Sequence, residues 1–389
     1  MRKFDWRKMG FWPSVFGVLM ILLAVIVVRR FTMGLGAISN LSDQMPWGLW
    51  IGFDMLCGVA LAAGGFTITG VVYIFHLEEY RPIVRPTILT AFLGYMLVIW
   101  ALLLDLGRPW NIWHPIIFWN PHSVMFEIGW CVMLYTTVLF LEFLPLVFER
   151  FSFTRGLHIW HRLSPILVLL GILLSTLHQS SLGTLYVIIP QKMNPLWYSP
   201  ILPILFFISA IALGLAMVVI ESFLSLRAFG KRLEPALLAQ IGKACAVVLM
   251  IYVVVRLEDL YIRGSLGNVL KFDAAAWFFI SEILFGVFLP IGMLLFDKVR
   301  RRPLALVLAS FLVVLGMIFN RLNVGVTAFQ FGTGVQYTPR WMEFAVSLGL
   351  IAIGFALFGM AVRYLPVFPQ GPMGEPKPAD PYVLLAGKS

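Results

Sequence analysis

The chain has 389 residues, 60% of them hydrophobic and 12% charged, with a formal net charge of +10 and a mean hydropathy of +0.91. A water-soluble domain of this size needs far more polar surface, so that class is excluded. The basic excess does not indicate nucleic acid: Lys and Arg fall in short segments between apolar runs, where they report membrane topology.

Runs of about twenty apolar residues, each sufficient to cross ~30 Å of hydrocarbon, predict helical spans. The first, 11–28, follows Arg2, Lys3, Arg7 and Lys8 and precedes Arg29–Arg30. It is too long for a signal-peptide core and lacks a cleavage site, so it reads as an uncleaved span. Further spans are predicted at 48–75, 86–104, 122–148, 163–179, 200–226, 236–255, 274–296, 303–320 and 342–364. Continuous apolarity does not match the alternation of a membrane barrel, so the predicted class is an all-α polytopic membrane protein of about ten helices. Residues 1–10 form a leading segment and 365–389 a Pro-rich tail. Twenty of the 29 Lys+Arg fall on the side of the termini. The positive-inside rule then predicts a multi-pass protein of the bacterial inner membrane with both termini cytoplasmic.

Polar residues crowd the half of the bundle away from the termini. Asp54, Glu127 and Glu282 are each placed about seven residues into a span from that face, roughly 10 Å deep. His178 and Gln179 end the fifth predicted span there, Asp105 and Arg108 the third, Arg256, Glu258 and Asp259 the seventh, and Asn320 and Arg321 the ninth. Glu142 and Glu221 lie toward the other face and mark the start of a proton route or a structural pair. An ionisable group in hydrocarbon costs ~2.5–3.5 kcal/mol or more, so several in one layer indicate a polar pocket or a set of interhelical ion pairs. Trp47, Trp50, Trp110, Trp113, Trp119 and Trp197 gather on the same face. An aromatic belt accounts for most of them. Trp47 and Trp50, however, enter the span that carries Asp54, and a flat quinone head group needs such walls plus a few hydrogen bonds. His178 suits donation to a quinone carbonyl followed by proton transfer.

Cys57, Cys131 and Cys245 lie singly in apolar spans, without CxxC spacing, so neither an iron–sulfur cluster nor another metal site is expected in this chain. A b-type haem needs two histidines facing each other at similar depth. His76, His114, His122, His158, His161 and His178 provide no such mid-membrane pair, and the expectation is no haem.

The stretches PWGLWIGFDMLCGVALAAGG (46–65), RPTILTAFLGY (85–95), LLDLGRPWN (103–111), NPHSVMFE (120–127), LHQSSLGTL (177–185), PLWYSPILP (195–203) and RLEDLY (256–261) resemble, in order, the polysulfide reductase/NrfD family of quinone-interacting membrane subunits. The resemblance is strongest to its HybB-type branch, which serves periplasm-facing [NiFe] hydrogenases. It implies two four-helix bundles with flanking helices and no covalently bound cofactor. It also implies a periplasmic-side quinone pocket lined by Trp47, Trp50 and Asp54, with Asp105 and Arg108 at an adjoining turn and His178 against the quinone. The implied partners are a ferredoxin-like iron–sulfur subunit, the hydrogenase large and small subunits, and membrane lipid, with a menaquinone or ubiquinone as bound substrate. Segments 29–47, 105–121, 180–199 and 256–273 are the expected docking loops. Relatives serving polysulfide, nitrite or sulfite enzymes leave the catalytic partner open. A proton or solute translocator using Glu127, Glu142, Glu221 and Glu282 is the alternative of a different class.

Overall fold

The structure is a computed structural model and describes residues 10–230 and 235–368. The leading segment before Gly10 and the Pro-rich tail beyond Phe368 lie outside the described residues.

Among the described residues ten helices are long and apolar enough to cross a membrane: α1 Phe11–Met33, α2 Trp50–Tyr73, α3 Glu78–Asp105, α4 Val124–Arg150, α5 Thr154–Val187, α6 Leu202–Phe229, α7 Pro235–Ile262, α8 Ala274–Leu295, α9 Pro303–Thr333 and α10 Trp341–Tyr364. Helices form because backbone amides in hydrocarbon must bond within their own segment. The chain is thus an all-α polytopic membrane protein. Helices α2–α5 pack as one four-helix bundle and α6–α9 as a second. Helices α1 and α10 lie against each other, with α10 also seated on α3. The bundles join where α5 and α2 meet α6. At that crossing Gly64 and Gly214 bring two backbones together, and a Cβ at Gly214 would come within 2.6 Å of the Gly64 nitrogen. Small residues permit this approach, which is what drives helix association in lipid.

Four spans run further toward the face opposite the termini than hydropathy predicts. Helix α1 continues past residue 28 to Met33, α5 past 179 to Val187, α7 past 255 to Ile262, and α9 past 320 to Thr333. Of the polar residues taken as terminators, His178, Gln179, Arg256, Asp259, Asn320 and Arg321 are instead enclosed by neighbouring helices, where protein groups replace water as partners, while Glu258 is exposed. Three of the expected docking segments are accordingly shorter, since 29–33, 180–187 and 256–262 are helical. Two faces result. The basic face carries the turns around Arg81, Arg150 and Arg300–Arg302; the opposite face carries residues 34–49, 106–123, 188–201, 263–273 and 334–340.

Candidate functional site

Helix α2 opens with a π-helical segment, Trp50–Met55, and α9 contains a second, Asn323–Thr327. Such segments widen the helix by about one residue per turn and are frequent at functional positions. The two face each other: a Cβ at Gly325 would lie 3.1 Å from the Gly52 Cα and 3.2 Å from the Tyr186 hydroxyl. Trp47 closes this junction, edge-on to Tyr186 at 5.4 Å and to Phe329 at 5.6 Å between ring centroids.

Asp54 sits in the first π segment, buried, and its Oδ2 accepts from Ser347 Oγ at 2.6 Å. Trp50 is buried and its indole N–H donates to the Glu343 carbonyl at 3.2 Å. Asp105 ends α3 with Oδ1 buried and unpartnered. Its neighbouring cation is Arg30 rather than Arg108. Arg30, read from sequence as a flanking residue, lies inside α1, buried, with its guanidinium donating to the Leu104 carbonyl at 2.7 Å and to that of Leu106. Arg108 is exposed in the following turn. Chain proximity placed Asp105 and Arg108 at one turn but does not reveal that α1 brings Arg30 alongside.

A second group lies deeper. His178 is nine residues inside the end of α5 and fully buried, not terminal as predicted. Its Nδ1 is 2.7 Å from the Tyr95 hydroxyl, while Nε2 is buried without a partner. Tyr95 in turn meets Tyr135 edge-on at 4.6 Å. Gln179 donates to the Val59 carbonyl at 3.0 Å and leaves its own Oε1 unpartnered. Val59 is five residues beyond Asp54 on α2, so this group sits ~7 Å further from the opposite face. Toward the basic face, Tyr135 and Glu142 line a small cavity with Phe66, Thr69 and Gly171. Glu142 is buried with one unpartnered oxygen. Glu221, half-buried on α6, lies beside Thr90 and also has an unpartnered oxygen.

The other two acids behave differently from their predicted depth. Glu127 occupies the first turn of α4, behind the Ser123 N-cap, and is exposed. Glu282 is buried but saturated, accepting from Trp197 Nε1 (2.9 Å), Asn320 Nδ2 (2.7 Å) and Asn323 Nδ2 (2.6 Å). Asn320 also accepts from Arg321, whose guanidinium lies 3.7 Å over the Phe206 ring and donates to Ser209 Oγ at 2.7 Å. Charges buried in this way are tolerated because amides bridge them. Trp197 consequently belongs to this interior cluster and not to an aromatic belt, whereas Trp110, Trp113 and Trp119 are exposed.

Tyr95, Tyr135, Arg30, Glu343 and Ser347 were missed from sequence. The two tyrosines and the serine are ordinary constituents of apolar spans, and only their packing against His178 and Asp54 distinguishes them.

Comparison with known proteins gives the family. The family described as "Polysulphide reductase, NrfD" matches residues 37–331. A protein of Nitratidesulfovibrio vulgaris (strain Hildenborough) is 38% identical over 366 residues, covering 92% of this chain and 94% of its own. The "Probable Ni/Fe-hydrogenase 2 b-type cytochrome subunit" of Escherichia coli (strain K12) is 34% identical over 361 residues, covering 91% and 92%. A second N. vulgaris protein, "Menaquinone reductase, integral membrane subunit", is 28% identical over 371 residues, covering 88% of each. The E. coli designation overturns the expectation, drawn from the histidine census, that a chain of this kind carries no haem. Among the described residues two buried histidine nitrogens lack a partner, His178 Nε2 deep in α5 and His161 Nδ1 nearer the start of that helix. The other five histidines lie near helix ends or in loops, so a facing pair at one depth is not formed. With ten candidate spans among its described residues and this extent of match, the chain belongs to the NrfD family of membrane subunits.

Proposed function

We propose that the chain is the quinone-reactive membrane subunit of a respiratory [NiFe] hydrogenase. The observation that carries this reading is His178: fully buried, oriented through Nδ1 by Tyr95, and presenting an Nε2 with no protein partner. With the Tyr95 hydroxyl donating to Nδ1, Nε2 carries the proton and donates to a quinone carbonyl. Two electrons arrive from an iron–sulfur partner and two protons are taken up, so the quinone leaves as quinol. Similarity to proteins named as a Ni/Fe-hydrogenase 2 subunit and a menaquinone reductase subunit supports both halves of the reading.

Trp47, Trp50 and Asp54 line the entry, and Glu142 with Glu221 begins a proton route from the basic face, where an unpartnered oxygen on each leaves room for a proton. The saturated Glu282 acts as a structural tie. Loops of the opposite face dock the ferredoxin-like subunit and, through it, the hydrogenase large and small subunits. The positive-inside rule makes that face periplasmic and both termini cytoplasmic, in a bacterial inner membrane. A b-type haem, as the E. coli relative's name implies for that protein, would supply one-electron transfer, and its iron would take one of the two buried histidine nitrogens without a partner among the described residues, His161 Nδ1 or, in place of the quinone, His178 Nε2.

His178→Ala tests the reading. It should abolish quinone-linked hydrogen oxidation by the assembled enzyme while dye reduction persists; unchanged quinone turnover removes His178 from the site. A reduced-minus-oxidised spectrum of the same two proteins shows whether a haem occupies that nitrogen.

A further inference from the structure

Helix α10 lies outside the residues matched to the family, 37–331, yet it holds the acidic end of the site. Its first turn is fixed by the Glu343 carboxylate, which is fully buried and accepts from the backbone N–H of Asn40 and of Arg340 at 3.0 Å each, and from the Tyr337 hydroxyl. Tyr337 oxygen accepts in turn from the Leu49 N–H at 2.9 Å, tying this turn to the start of α2. The carbonyl of Glu343 is thereby positioned between two donors, Trp50 Nε1 and Ser347 Oγ.

Ser347 stands at the centre. Its single hydroxyl proton has two acceptors within reach, Asp54 Oδ2 at 2.6 Å and the Glu343 carbonyl at 3.3 Å. An ionised Asp54 takes that proton as a hydrogen bond. A protonated Asp54 instead donates to Ser347 Oγ, and the hydroxyl turns to the Glu343 carbonyl. Either way no buried group loses its partner, so Asp54 gains or releases a proton without moving.

We infer that Ser347 is the positioning residue for Asp54, a hydroxyl that serves both of its charge states, and that α10 is therefore part of the site. The inference rests on the reading in which Asp54 exchanges protons with the quinone. The charged and titratable groups around Asp54 are Asp105 from α3, Cys57 on α2 itself and Glu343 from α10, with Arg30 of α1 beside Asp105 and Arg321 of α9 beside Cys57. Ser347 donates to the carboxylate more strongly than it accepts from the acid, since hydrogen bonds to ionised groups are the stronger kind.

The test uses the full-length chain in detergent and infrared difference spectra across a pH titration, with the Asp54 carboxyl band assigned by its loss in Asp54→Asn. Ser347→Ala should shift that band, because the carboxyl loses its hydroxyl partner, and Ser347→Thr should restore it. An unmoved band in Ser347→Ala overturns the inference. If Ser347→Ala fails to insert, Ser347→Cys, of similar size with a weaker donor, carries the same comparison. Quinone turnover of the assembled enzyme is measured in parallel. Turnover indifferent to Asp54→Asn removes Asp54 from quinone chemistry but leaves the Ser347 assignment standing on the band shift.

Discussion

The Tyr95 hydroxyl and His178 Nδ1 meet at 2.7 Å inside the first bundle, with neither side chain exposed. An imidazole with one nitrogen engaged has its other nitrogen fixed in direction, and a hydroxyl that donates to Nδ1 leaves the ring proton on Nε2. Tyr95→Phe keeps the ring and its edge contact with Tyr135 but removes the donor. Quinone-linked turnover should fall about ten- to a hundredfold, while dye reduction by the catalytic partner is unchanged. Full quinone activity in Tyr95→Phe would mean that the hydrogen bond does not set the working tautomer.

Glu282 is predicted to matter for stability. Removing its carboxylate in Glu282→Ala strands the donors of Trp197, Asn320 and Asn323 and leaves the buried Arg321 without a counter-charge. Breaking a buried charged network from one side costs ~3–5 kcal/mol, which should appear as a clear drop in melting temperature in detergent. Glu282→Gln should cost less, because one oxygen still accepts. A melting temperature matching wild type in Glu282→Ala would leave the cluster with no structural role.

Arg30 supports a third prediction. Its guanidinium donates to two backbone carbonyls at the end of α3, Leu104 and Leu106, and lies beside Asp105. Arg30→Lys keeps the charge but offers no planar fork to both carbonyls. Both Arg30→Lys and Arg30→Met should therefore loosen the α3 terminus and reduce quinone turnover, with lysine recovering only part of the loss. Hydrogen exchange at residues 104–108 provides the readout. Wild-type protection there in Arg30→Met would show that the turn holds without it.

Hydropathy was enough to place ten spans because the membrane enforces one continuous apolar signal per helix. It failed where protein, not lipid, surrounds a span. Asn320 and Arg321 looked like an end to α9, although Glu282, Ser209 and Phe206 provide their partners from other helices. The same failure put His178 at a helix end. Glu127 erred in the opposite direction: counted inward from a boundary set slightly early, it seemed buried, yet it lies in the first exposed turn. Asp54 and Trp50 were legible as candidates from position alone. Their partners were not, because Ser347 and Glu343 lie almost three hundred residues away along the chain.

The junction of the two π segments gives the last prediction. Gly52 and Gly325 pass with almost no clearance, and the space a methyl group would need at residue 325 is bounded by the Gly52 Cα, the Tyr186 hydroxyl and Leu56. Gly325→Ala places its Cβ about as close as real Cβ atoms come to a neighbour, so one backbone must yield. The site side is the one expected to move, since α9 is tied by Asn320, Arg321 and Asn323 whereas the first π segment is held mainly through Asp54 and Trp50. Overpacking of this kind costs ~1–3 kcal/mol, a modest loss of thermal stability, but displacement of Asp54 should reduce quinone turnover more than proportionately. Gly292→Ala, at an exposed position of α8 with no atom near the added methyl, should change neither and serves as the control. Equal turnover in the Gly325→Ala and Gly292→Ala variants would show that the contact between the π segments does not position the site.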